Sequence, residues 1–284
     1  MRPWAGKVQF SDVTLRYRPG LPLALDGLSF TVPAGKRCGV VGRTGSGKST
    51  IISALFRLVE PSGGQVEIDG IDLSGLGLRD VRRRMVCIPQ DPVLFSGSLR
   101  HCLDPFRQHD DDQLWETLDV VGLAAGLRSA SKAAKGAGLD TPVCEGGSNW
   151  SVGERQLLSM ARALLGQPRV LVLDEATASI DGETDARIQR MLRELPRLRE
   201  TTVLSVAHRL QTVMDFDLIL VLEAGRAVEF GSPSALLAND EGYFHHLVEC
   251  TGPENAAALR ALAEEGPGGC KEATAGAGGR VLCA

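Results

Sequence analysis

The stretch GRTGSGKST at 42–50 sets Gly42, four further residues, then Gly47, Lys48 and Ser49 between an apolar run and a helix-forming segment. Glycines at that spacing let successive backbone amides turn toward one point, a lysine adds a positive charge there, and a hydroxyl can reach a divalent cation. That is the chemistry of a polyphosphate cradle. The amides from Thr44 to Ser49 would wrap the phosphates, Lys48 would neutralise the outer pair, and Ser49 would serve Mg2+. The first candidate binding set is therefore Gly42, Arg43, Thr44, Gly45, Ser46, Gly47, Lys48, Ser49 and Thr50.

A second constellation is RVLVLDEATASID at 169–181. Four apolar residues set Asp174 at the end of a buried strand, where a carboxylate can enter a Mg2+ shell, and Glu175 beside it can polarise an attacking water. A plain helix cap is the alternative, and adjacent carboxylates at a strand end are costly for that purpose alone. His208 closes VLSVAH and can hydrogen-bond a phosphate oxygen from a neighbouring strand. The third constellation, EGGSNWSVGERQLLSMARALL at 145–165, opens like an anion site that has no lysine. Ser151 and Glu154 fit a capping box, and Gly146, Gly147 and Gly153 let backbone amides approach a ligand at a helix N-terminus.

The elements that must position these groups follow from periodicity. Residues KVQFSDVTLRY and LSFTV alternate as strands and lead into the buried strand RCGVVG ahead of the glycine loop. GQVEIDG reads as a short strand and turn. After VCIPQ, Leu114, Leu118 and Val121 recur at helical spacing, and helices continue to residue 165 as an insertion. Strand and helix then alternate again through RVLVLDE, a polar helix at about 183–195, TTVLSVAH and the hairpin DLILVLEAGRAVEF. The pattern predicts an α/β fold: a mostly parallel sheet with its ligand at the strand carboxyl ends, an antiparallel β lobe and an inserted α-helical subdomain at about 91–165. Residues 1–249 are expected as one domain. Residues 250–284, rich in Ala, Gly and Glu, are expected as a flexible tail with one short helix near AAALRALAEE.

Composition narrows the partners. The 284 residues carry a net charge of −4, yet residues 1–58 hold nine Lys/Arg against two Asp/Glu, a basic lobe that suits a polyphosphate. RDVRRR at 79–84 lacks interleaved aromatics and reads as a solvated helix face, so no nucleic-acid partner is expected. No apolar run approaches the roughly 20 residues that cross a bilayer. Seven cysteines without paired spacing suit reduced thiols. His245 and His246 read as helix-surface residues, with no matching ligand partners nearby in sequence.

In this order the motifs resemble the nucleotide-binding domain of ABC ATPases, over about residues 8–248, with the P-loop NTPase (RecA-like) core of that family. GRTGSGKST resembles its Walker A, CIPQD with Gln90 its Q-loop, NWSVGERQ its signature, VLVLDE its Walker B, SID with Asp181 its D-loop, and His208 its switch histidine. Tyr17 in LRYRPG resembles the aromatic that stacks on adenine, and Glu145 the X-loop acid that meets transmembrane coupling helices. The resemblance implies ATP and Mg2+ as cofactors, with the metal at Ser49, Gln90 and Asp174, and Glu175, His208, Lys48 and Gln90 as catalytic groups. It also implies a second nucleotide-binding domain packed head-to-tail, so that Ser151, Gly153 and Asp181 serve the partner's ATP. Trp150 and Glu154 stand where the family commonly has Leu and Gln.

The finer pattern, SGSLRHCLDPF followed by DDQLWETLDVVGL, resembles subfamily C, the multidrug-resistance-protein group, and its second nucleotide-binding domain in particular. That implies a place on the cytosolic face of a membrane, beside transmembrane domains of the same transporter, driving export of organic anions or conjugates. The alternative within the resemblance is an ATP-gated regulatory domain of a channel.

Overall fold

The protein is described here by a computed structural model covering residues 5–133, 138–176, 180–207 and 209–266, with side chains left undescribed at 130–133 and 197. Its centre is a six-stranded sheet in the order Arg226–Gly231, Leu218–Glu223, Arg37–Gly42, Thr202–Val206, Val170–Asp174, Met85–Ile88. Four of the five pairings are parallel, and only the hairpin at the Arg226–Gly231 edge is antiparallel.

Alternation along these strands divides the molecule into two apolar cores, because successive side chains leave opposite faces of a strand. Val170, Val172, Leu204 and Val206 face one core with Val40, Ile51 and Leu55; Leu171, Leu173, Val203, Ile219 and Val221 face the other. The runs VLVL and LILVL carry apolar residues at every position because both sheet faces are covered. The first core is closed by the antiparallel lobe, ordered Leu25–Val32, Val8–Leu15, Gly63–Ile68, Ile71–Asp72, with Phe10 and Phe30 stacked at 4.7 Å. Burial pushes the Cys38 and Cys87 thiols up, Cys87 to about 12; Cys38 lies in the core and Cys87 is partly buried against it.

The second core holds the helical insertion: helices Leu99–Leu103, Asp111–Val120 and Ala124–Ala133, a short pairing of Gly97–Ser98 with Pro142–Val143, and helix Val152–Leu165. Leu114, Leu118 and Val121 are all fully buried there, and Asp110 caps their helix in a complete capping box with Gln113.

The same core extends beyond residue 249. Helix Pro253–Glu265 buries Ala256, Leu259 and Ala263, so the packed chain continues past the boundary expected at 249/250. The reason is spacing: those three residues recur at i, i+3 and i+7, and small alanines let the helix lie close. Residues 267–284 lie outside the described residues.

Candidate nucleotide-binding site

The parallel strands end level with one another. Val206 pairs with both Val40 and Asp174, which places Asp174 two strands from the strand that feeds the glycine loop, about 10 Å at ordinary strand spacing. The loop follows directly from Gly42, and helix Lys48–Leu55 leaves it.

Two glycines are required by the loop's shape. At Gly42 (φ 150) a Cβ would stand 2.3 Å from Leu222 O, and at Gly47 (φ 105) it would stand 2.7 Å from Ala24 O. Gly45 (φ 83) is different, since a Cβ there would meet nothing within 4 Å. That side of the loop is open, as a phosphate cradle must be. Lys48, only 8% exposed, donates from Nζ to Gly42 O at 2.9 Å and Arg43 O at 3.1 Å. No carboxylate lies within ion-pair distance of it among the described residues, and burial lowers its pKa despite the opposing field of Glu175. A buried ammonium held only by loop carbonyls is a group waiting for an anion. Ser46 is 5% exposed and its Oγ has no partner among the described residues. Ser49 is exposed and Thr50 buried, with Thr50 Oγ1 3.1 Å from the hydroxyl of Tyr17. Tyr17 is itself half exposed, so its ring stays available while its hydroxyl is tethered to the loop's helix.

The strand Val170–Asp174 delivers the carboxylates. Burial, then the neighbouring Glu175, raises the Asp174 pKa. Glu175 takes a positive φ of 49°, rare for a residue with a side chain, and its amide donates to Val206 O at 3.1 Å. Such strain survives only where the surroundings fix it, and it turns Glu175 away from the strand direction at the sheet's carboxyl edge.

Gln90 is exposed just beyond strand Met85–Ile88, and its carbonyl accepts from Gln156. Among the described residues no three His, Cys, Asp or Glu side chains form a metal cluster. Mg2+ suits this arrangement, because it is ordinarily held by one or two carboxylates together with substrate phosphates. His208 lies outside the described residues.

The third constellation forms a separate cluster. Ser151 caps helix Val152–Leu165: Glu154 N donates to Ser151 Oγ at 3.2 Å, while Glu154 Oε2 accepts from both the Ser151 amide and hydroxyl at 2.8 Å. Gly153 is buried against helix Gly182–Glu194, where a Cβ would stand 3.1 Å from Thr184 Oγ1 and 3.3 Å from Asp181 Oδ2. Ser151, Gly153 and Asp181 are thus brought together. Asp181 caps its helix, and the Thr184 backbone amide holds its carboxyl below the usual range. Trp150 packs against the main core, so it substitutes for an apolar residue there, although its indole N–H has no partner among the described residues. Glu145 opens an exposed turn just upstream.

Two contacts escape a reading of motifs. One is the Tyr17–Thr50 tether. The other is Gln156, whose only trace in sequence is a polar residue on the buried stripe Gly153, Gln156, Met160 and Ala163.

Fold and loop together define a P-loop NTPase. Comparison with known proteins names the family: the pattern described as ABC transporter matches residues 25–178, more than half of the chain. The chain belongs to the ABC transporter family. It is 51% identical over 262 residues to ABC transporter C family member 3 of Dictyostelium discoideum, covering 92% of this chain and 18% of that protein. It is 48% identical over 253 residues to ATP-binding cassette sub-family C member 2 of Rattus norvegicus, covering 89% of this chain and 16% of that one. A bacterial Atm1-family ABC exporter solved with ATP bound matches with a TM-score of 0.79 and 34% identity, over 87% of this chain and 42% of that one. The chain spans less than a fifth of the length of these curated relatives.

Proposed function

We propose that this chain binds and hydrolyses MgATP to drive export by a subfamily C transporter, as its second nucleotide-binding domain, at the cytosolic face of a membrane. The observation that carries the reading is Lys48, buried and bonded, among the described residues, to Gly42 O and Arg43 O alone, beside an open glycine loop. Lys48 would exchange those carbonyls for phosphate oxygens, and the loop amides from Thr44 to Ser49 would receive the rest of the charge. Tyr17 would stack on the base. Ser49, Asp174 and Gln90 would hold Mg2+, which supplies charge neutralisation at the phosphates when bound. Glu175 would orient and polarise the attacking water, and His208 would bond the outer phosphate.

The separate cluster of Ser151, Gly153 and Asp181 supports a head-to-tail partner, because Ser151 and the Gly153 amide offer donors at a helix opening that has no lysine of its own. A groove of about 450 Å³ lined by Val93, Phe95, Pro105 and Phe106, with Phe106 80% exposed, supports a transmembrane partner. Organic anions or conjugates are the proposed cargo. The Ser151–Glu154 bond favours a second reading, a regulatory domain in which ATP occupancy gates a channel and hydrolysis is slow, since the signature hydroxyl is already engaged.

Calorimetric titration with ATP tests the carrying observation. The chain should bind ATP and Lys48→Ala should lose most of that affinity; equal affinity in both would reject the loop as the site.

A further inference from the structure

Gln156 is 1% exposed, yet it sits in the first turns of a helix whose buried face is otherwise apolar or small. Its Nε2 donates to Pro89 O at 3.0 Å and to Gln90 O at 2.8 Å, joining positions 67 and 66 residues apart. Two carbonyl acceptors fix the amide's orientation, because the flipped amide would set oxygen against oxygen. The remaining Oε1 is buried and has no partner among the described residues. Packing alone does not call for such a group: a leucine or methionine would fill the volume without burying an unsatisfied acceptor.

The helix that carries Gln156 also carries Ser151, five residues earlier, at its cap. One helix start therefore holds two things: the hydroxyl offered to a partner's nucleotide, and a grip on the backbone of the residue that serves this chain's own nucleotide. We infer that Gln156 is a positioning residue that ties the signature helix to Gln90, so that movement of Ser151 onto a partner's ATP is transmitted to the metal shell of this chain's ATP. The inference rests on Gln90 serving Mg2+, as proposed above. Gln156 touches neither nucleotide nor metal and acts only through the Pro89–Gln90 backbone. Backbone held in place this way sets a ligand's reach, as outer-shell partners of metal sites do.

The test is a double-mutant cycle read in ATP affinity, with and without Mg2+, on the whole chain. Gln156→Met keeps the side chain's length and removes both donors. Affinity in EDTA should stay within about twofold of the parent, while the gain from adding Mg2+ falls roughly ten- to a hundredfold. Gln90→Ala should lose the same gain, and adding Gln156→Met to it should cost nothing more, since the two act in series. A full Mg2+ gain in Gln156→Met, or losses that add in the double variant, would overturn the role of Gln156 and leave the ATP site standing. A parent chain that binds ATP with no Mg2+ gain would instead remove Gln90 as a metal group, and this inference with it. Gln156→Asn, shorter by one methylene, carries the same cycle if Gln156→Met does not fold.

Discussion

Glu154 Oε2 accepts two hydrogen bonds from Ser151, one from its amide and one from its hydroxyl, each 2.8 Å long. The cap is satisfied within a single turn, and the hydroxyl expected to meet a partner's phosphate is spent on a carboxylate. Phosphate approaching Ser151 must displace that bond and also face the Glu154 charge. Glu154→Gln keeps a side chain that can cap but removes the charge. The variant should unfold within about 0.5 kcal/mol of the parent and associate more tightly in ATP, measured by denaturation and by sedimentation. Unchanged association would show that the Glu154 charge does not oppose closure.

Lys48 gives a pH dependence of known sign. Burial lowers its pKa, so it loses its proton at a lower pH than a free lysine. A polyanion favours the charged form, hence binding takes up a proton once the pH nears the lowered value, and affinity falls as pH rises through it. Titrations over the alkaline range should show weakening in the parent and a flatter profile in Lys48→Arg, which stays charged throughout. A flat profile in the parent would contradict the assignment.

The tether between Tyr17 and Thr50 separates two roles of one side chain. If the ring stacks on adenine, Tyr17→Phe should keep most of the ATP affinity and Tyr17→Ala should lose about 1 kcal/mol, roughly fivefold. Equal losses in the two variants would assign the effect to the hydroxyl tether instead.

Leu259 tests where the folded chain ends. It is 1% exposed in helix Pro253–Glu265, beside Ala256 and Ala263. Leu259→Ala should cost about 2–4 kcal/mol in chemical denaturation, the range for a leucine removed from a packed core. A change below about 0.5 kcal/mol would mean that the helix is not part of the cooperative unit.

These residues show what a sequence can and cannot carry. The glycine loop was legible because its shape excludes side chains at Gly42 and Gly47, and the capping box because its partners lie three residues apart. The sheet's two covered faces were legible in the unbroken runs VLVL and LILVL. Contacts between distant segments were not: nothing local links Gln156 to Gln90, or Tyr17 to Thr50. Nor does a glutamate announce a positive φ, so the turn at Glu175 emerged only once the strand end was built. A helix near AAALRALAEE was legible, but its burial in the main core was not, since Ala, Gly and Glu suit a loose tail as readily as a close-packed helix.

In the proposed reaction Glu175 polarises the water that attacks ATP held by Lys48. Phosphate release from saturating MgATP, measured beside ATP affinity for the parent and Glu175→Gln, tests it most directly. Affinity should stay unchanged while turnover falls by about a hundredfold or more, the usual cost of losing a general base. Equal turnover in the two chains would contradict it.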